Sequence, residues 1–132
     1  MATNGGYAPF ENLVSRVDTA LLGPMVYQFD PATGRGHEPE GLLSTLPAIA
    51  TTLLGLRAGE WLRRAQLQRL LPAGVTSLVV GLLWALTFPI NKNLWTPSFT
   101  VFTAGMGMLC LGTVFFFVDV LGKRAWAWPF KV

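Results

Sequence analysis

The stretch Phe88-Pro89-Ile90-Asn91-Lys92-Asn93-Leu94-Trp95-Thr96-Pro97 constrains this chain more than any other, because it sets a polar, proline-bracketed interval between two long apolar runs. Each proline disfavours helical geometry at the residue before it, so one helix is expected to end near Phe88 and the next to begin near Pro97 or Ser98. The interval is too short for a domain linker. It turns the chain back on itself and brings three amide or ammonium side chains and a tryptophan to one end of a helix pair, where hydrogen bonds and an aromatic face suit a polar ligand.

The apolar runs decide the class. Hydrophobic residues make up 52% of the chain and charged residues 13%, a composition too apolar for an ordinary soluble domain and suited to a membrane. The run from Gly41 to about Leu62 is long enough to cross a hydrocarbon core of roughly 30 Å. Two more spans are expected at about 73–90 and 98–118. The fold expected is therefore an all-α membrane protein, with residues 1–39 as an extracytoplasmic segment and 40–132 as the transmembrane region. Within the first span, Pro47 should bend the helix by freeing the carbonyl of Leu43, and Gly55 and Gly59 offer a small-residue face to a close helix neighbour. Between the first two spans, a short helical continuation is expected to lead to Arg69, and Pro72 to close the loop.

Before the spans, Met1 to Phe10 lacks the basic start and apolar core of a targeting segment. From Asn12 to Leu22, Leu13, Val14, Val17, Leu21 and Leu22 recur at helical spacing, predicting a short amphipathic helix on the membrane surface or on the protein. Gly23-Pro24 stops it, and Tyr27 to Gly36 reads as loop. Pro39 suits a first helical turn, where Glu38 and Glu40 complement the helix dipole.

The formal charge of +3 does not point to nucleic acid, because the positive charges sit where apolar runs end and read as membrane anchors. Arg57, Arg63, Arg64, Arg69, Lys123, Arg124 and Lys131 flank one side of the spans, and Arg16, Arg35 and Lys92 the other. Positive residues favour the cytoplasm, which leaves the N-terminal segment and residues 91–95 outside, with Trp126 and Trp128 as interfacial belt residues. The location expected is a bacterial inner membrane. The one cysteine, Cys110, lies within an apolar run and excludes an intrachain disulfide or a cysteine-rich metal site.

Three groups of residues carry a resemblance. Glu38-Pro39-Glu40-Gly41-Leu42-Leu43-Ser44-Thr45-Leu46-Pro47-Ala48-Ile49, then Phe88 to Thr96, then Asp119-Val120-Leu121-Gly122 with Trp128-Pro129-Phe130 resemble, in order and spacing, the later half of the heparan-α-glucosaminide N-acetyltransferase-like membrane acyltransferases. The run from Pro89 to Trp95 is the most specific part. The resemblance implies a polytopic enzyme that passes an acetyl group from cytoplasmic acetyl-CoA to an amino sugar across the membrane. Such transfer needs a base or an acyl-carrying histidine, and a site for the developing oxyanion. The family's histidine belongs to an earlier segment with no counterpart here, so the chain is expected to be the C-terminal portion of the catalytic domain and inactive by itself.

His37 does not match that histidine, and a lone loop histidine is ordinarily solvated. Glu40, Asn91, Lys92, Asn93 and Trp95 match the family and are the substrate-site candidates: carboxylate and amides for sugar hydroxyls and amine, the indole for the apolar ring face, and Lys92 for Glu40 or an anionic group. On residue chemistry alone Glu40 is equally a helix-start acid and Asn91 to Asn93 a solvated turn. Arg57, Arg63 and Arg64 are first of all snorkelling anchors, with CoA phosphates as a weaker role, and no metal is expected. The partners implied are membrane lipid, a sugar acceptor, and earlier spans or another chain, with a second copy as a further possibility. Two other classes fit the same residues: a non-catalytic membrane binding or scaffold protein, and a transporter fragment with proline-bent helices.

Overall fold

A computed structural model describes residues 12–38 and 41–122. Glu40, Lys123, Arg124, Trp126, Trp128 and Lys131 lie outside these residues. The described elements run α1 (Leu13–Leu22), a 3-10 turn (Gly23–Met25), β1 (Gln28–Asp30), β2 (Arg35–His37), α2 (Leu42–Arg63), α3 (Leu67–Trp84) and α4 (Pro97–Phe115), which continues as a π-helical turn (Phe116–Val120). Three of these helices are long and apolar enough to cross a membrane: Leu42–Arg63, Leu67–Trp84 and Pro97–Val120.

Threonine is tolerated inside these helices because its hydroxyl bonds back to the preceding turn. Thr51 donates to the Pro47 carbonyl at 2.9 Å, Thr52 to Ala48 at 3.0 Å, Thr103 to Phe99 at 2.7 Å and Thr113 to Leu109 at 2.8 Å, so these four hydroxyls are not left bare in an apolar setting.

Helices α3 and α4 pack through glycine. A Cβ added at Gly81 would come within 2.7 Å of the Phe102 amide nitrogen, one at Gly105 within 2.6 Å of the Leu78 nitrogen, and one at Gly112 within 2.6 Å of Leu71 Cδ2. Gly74 meets the Leu109 side chain at 3.0 Å. The glycines stand one heptad apart on each helix, 74 with 81 and 105 with 112; backbone meets backbone at Gly81 and Gly105, and leucine side chains fill the seam at Gly74 and Gly112. The small-residue face on the first span stays open: nothing lies within 4 Å of a Cβ built at Gly55 or Gly59. At the far end of the bundle from the hinge, Ala58, Leu70 and Met108 form a small core against which Leu54, Trp61 and Leu62 pack.

Three local expectations change. The loop anticipated before Pro72 is only a three-residue turn, because α2 ends in a Schellman motif: the Ala65 amide donates to Leu62 at 2.9 Å and the Gln66 amide to Trp61 at 2.8 Å. Ala65 takes the left-handed conformation there, φ 54. Helix α3 then starts at Leu67 and contains Pro72; the carbonyl left without an amide partner belongs to exposed Gln68, where solvent can satisfy it. Beyond Trp84 the chain leaves the helix through turns to Phe88, short of the expected end. The segment from Tyr27 to Gly36 is also not a plain loop. It folds into an antiparallel hairpin pairing Gln28 with His37 and Asp30 with Arg35. Asp30 builds the turn by accepting from the Ala32 amide at 3.0 Å and the Thr33 hydroxyl at 2.7 Å, and Gly34 supplies φ 65.

Candidate functional site

Helix α1 lies against the start of α2 with its polar side inward. Asn12, Ser15 and Asp18 are buried, whereas Leu13 and Leu21 are 69% and 66% exposed. Asn12 caps α1 by accepting from the Ser15 amide at 2.7 Å. Asp18, fully buried, accepts from the Leu42 amide at 2.9 Å. It thereby caps α2, whose own N-cap residue Gly41 has no side chain to do so. The other carboxylate oxygen, Oδ2, has no hydrogen-bond partner among the described residues. His37 is buried rather than solvated: its Nδ1 lies 3.1 Å from the Ser15 hydroxyl, because pairing in the hairpin carries the ring onto α1. Glu38 accepts from the Tyr27 amide at 2.8 Å.

The hinge is laced by hydroxyls. Ser98 donates to the Phe88 carbonyl at 2.6 Å and Thr96 to the Pro89 carbonyl at 3.0 Å, while the Asn91 amide donates to the Thr96 hydroxyl at 3.1 Å. These bonds satisfy the backbone that two prolines release, and they bury Thr96 and Ser98 completely or nearly so. The Asn91 carboxamide oxygen accepts from the Asn93 amide at 2.9 Å and the Leu94 amide at 3.4 Å, an Asx turn that leaves only its NH2 group for another partner. Lys92 and Asn93 are exposed, and Lys92 has no ion-pair partner among the described residues.

Trp95 is the unusual residue. Its φ of 49 is rare for a bulky side chain and costs about 1–3 kcal/mol of backbone strain. It is held there by an indole N–H donated to the Thr51 hydroxyl at 3.3 Å and an edge contact with the Phe99 ring at 5.6 Å. The indole forms part of the wall of a cavity of about 510 Å³ that is bounded by α1, the first turns of α2 and the hinge. Trp95 and the backbone neighbours of Asn91 are thus brought to the cavity, while Asn91, Lys92 and Asn93 are not among its lining residues.

At the opposite end Arg57 is occupied, paired with Glu60 at 2.8 Å and lying 5.3 Å over the Trp61 ring. Arg63 borders an open groove of about 450 Å³ with Gly55, Gly59 and Glu60. Arg64 caps the end of α2, exposed. Neither Arg63 nor Arg64 has an ion-pair partner among the described residues. No cluster of His, Cys, Asp and Glu suited to a metal ion occurs among the described residues.

Sequence reasoning missed Asp18, Ser15, Thr96, Ser98 and Thr51. The first two had a signal: Asn12, Ser15, Asp18 and Thr19 recur at helical spacing as regularly as the leucines between them. Thr96-Pro97-Ser98 carried one as well, hydroxyls flanking a proline at a helix start.

The three long apolar helices define the class, a helical integral membrane protein. Comparison with protein-family models, with curated proteins and with solved structures returns no match.

Proposed function

We propose that this chain forms the acceptor side of a membrane acyltransferase that passes an acetyl group from cytoplasmic acetyl-CoA to an amino sugar at the extracytoplasmic face. A carrier group attacks the thioester carbonyl, the carbon–sulfur bond breaks and CoA leaves as the thiol with the carrier's proton; the amine then attacks the carrier-bound acetyl, the acetyl–carrier bond breaks, and the amine's proton returns to the carrier. The observation that carries this reading is Trp95, strained to φ 49 and pinned beside a cavity in the run that most resembles the acyltransferase family. Strain of that kind persists where surrounding structure enforces it, and it concentrates at ligand sites. The indole offers the apolar face of a sugar ring a platform, and the Asn91 amide, Lys92 and Asn93 offer polar contacts at the same turn. Glu40 belongs to this group by resemblance alone. Arg63 and Arg64, without an ion-pair partner among the described residues at the other end, suit the phosphates of CoA. The group that carries the acetyl lies elsewhere in the assembled enzyme, since His37 is packed against Ser15.

The test edits the gene at its own locus and measures acetyl transfer from acetyl-CoA to glucosamine in native membranes. Asn93→Ala and Trp95→Ala should each lower transfer by roughly ten- to a hundredfold at unchanged protein level, and Gln28→Ala should leave it unchanged. Wild-type membranes with no transfer beyond that of a deletion strain would overturn the enzyme assignment. Variants as active as Gln28→Ala would overturn the site.

A second reading, a non-catalytic partner of another membrane protein, is favoured by the open glycines Gly55 and Gly59 on α2. Under it Gly55→Leu would abolish co-purification of a partner and leave acetyl transfer at the deletion-strain background.

A further inference from the structure

The cavity at the hinge end is walled by hydrocarbon: Leu13 from α1, Leu43 and Leu46 from α2, and Phe88, Leu94 and Trp95 from the hinge. Its polar wall residues are already committed. Asn12 accepts from the Ser15 amide, and Thr96 is bonded to the Pro89 carbonyl and the Asn91 amide. A sugar inside would lose water and gain few hydrogen bonds in return, whereas a hydrocarbon chain would lose nothing. The volume, about 510 Å³, falls within the range of small-ligand pockets. Leu13, Leu46 and Phe88 remain substantially exposed at its mouth, beside helices apolar enough to sit in lipid, so a chain can enter sideways from a bilayer. The polar turn of Asn91, Lys92 and Asn93 is only two to four residues from Trp95, which joins turn to cavity.

We propose that the cavity holds the hydrocarbon chain of an amphiphilic acceptor, a lipid-linked amino sugar whose head group lies at the Asn91–Asn93 turn. The chain anchors the acceptor and the turn positions its amine; the assignment of the head group rests on the acyltransferase reading above. A ligand of this kind needs no deep polar pocket, in keeping with the exposure of Lys92 and Asn93.

The test uses the full chain in nanodiscs of phosphatidylethanolamine and phosphatidylglycerol. Dodecyl glucosaminide with a diazirine at the chain end is photolysed, and labelled peptides are resolved by mass spectrometry. A phosphatidylglycerol with the same diazirine on one acyl chain is the parallel probe. The glucosaminide should label the segments around Leu46 and Leu94 at least about tenfold more than the α3 stretch around Leu83, and excess unlabelled dodecyl glucosaminide should abolish the difference. The phospholipid should label all three alike. Leu46→Trp, which fills the cavity from its open side, should reduce the labelling around Leu94 about tenfold, and Leu83→Trp should not. The competition arm requires no variant, so a misfolded Leu46→Trp protein does not remove the test. Equal enrichment of the phospholipid at the cavity, or displacement by chainless glucosamine, would overturn the proposal. Labelling does not depend on acetyl transfer. Labelling without transfer in native membranes would sink the enzyme assignment alone, and transfer without labelling would sink the cavity assignment alone.

Discussion

Gly41→Ala tests the contact that fastens α1 to the start of α2. Gly41 has φ −66 and ψ 174, a conformation alanine adopts without strain, so any cost beyond a poorer N-cap must come from what the new methyl meets. It meets the Asp18 carboxylate. That group is fully buried and cannot swing into solvent without giving up the Leu42 amide. Losing a hydrogen bond to a charged acceptor costs about 1.5–3 kcal/mol, and alanine in place of glycine at an N-cap adds roughly 0.5–1 kcal/mol. The single variant should therefore lose about 2–4 kcal/mol. Asp18→Ala should lose about 1–3 kcal/mol by itself. In the Asp18→Ala background, however, the new methyl finds space, and Gly41→Ala should then cost only its N-cap share. The cycle should yield a coupling of about 2 kcal/mol, with the double variant far more stable than the sum of its parts predicts. Denaturant titration in mixed micelles gives the four stabilities, and hydrogen exchange at the Leu42 amide gives a local readout: slow in the parent and fast in all three variants. Additive costs, or a Leu42 amide as protected in Asp18→Ala as in the parent, would refute cross-capping of α2 by α1.

Gly105→Ala drives a methyl into the Leu78 backbone and should lower the thermal midpoint through a loss of about 1–3 kcal/mol, while Gly107→Ala, which meets nothing within 4 Å, should be neutral or stabilising; equal effects on calorimetry would dismiss the α3–α4 seam. Ala65→Gly relieves a left-handed alanine and should raise stability by about 1 kcal/mol in denaturant titration, and a loss would show that the turn gains nothing from glycine. The Thr33 hydroxyl, with the Ala32 amide, holds the Asp30 carboxyl below its ordinary value of 3.8. Its contribution to the hairpin is therefore present above that value and fades as pH falls through the lower folded one; the protection of the Gly34 amide, its exchange relative to the intrinsic rate at the same pH, should fall under those acidic conditions, and Asp30→Asn should flatten the dependence.

The spans were legible because hydrocarbon imposes length and apolarity on any segment that crosses it, and the runs containing Leu53, Val80 and Leu111 meet both demands. The hinge was legible for a similar reason, since Pro89 and Pro97 restrict their neighbours in any context. The inverted setting of α1 was not. Spacing gives Leu13, Val17 and Leu21 one face and Ser15 and Asp18 another, but it does not say which face turns inward. Asp18 resisted prediction because its partner, Leu42, is 24 residues away and contributes only a backbone amide. The hairpin was missed because three-residue strands show no alternation to read, leaving Asp30 and Gly34 as its only signal. The seam between α3 and α4 was not read, because its glycines stand a full heptad apart on two neighbouring helices, whereas the close pair Gly55 and Gly59, which was read, stays open.

That seam bears on how the protein is made. The closest backbone approaches, Gly81 with Phe102 and Gly105 with Leu78, join helices adjacent in the chain, and the Ser98 and Phe88 bond closes the turn between them without help from α1 or the hairpin. The α3–α4 pair can therefore leave the translocation machinery as one zippered hairpin, with its hinge already satisfied. Helix α2, made earlier, meets that pair through contacts such as the Trp95 indole N–H donated to Thr51, whose donor does not exist until the hinge has been synthesised.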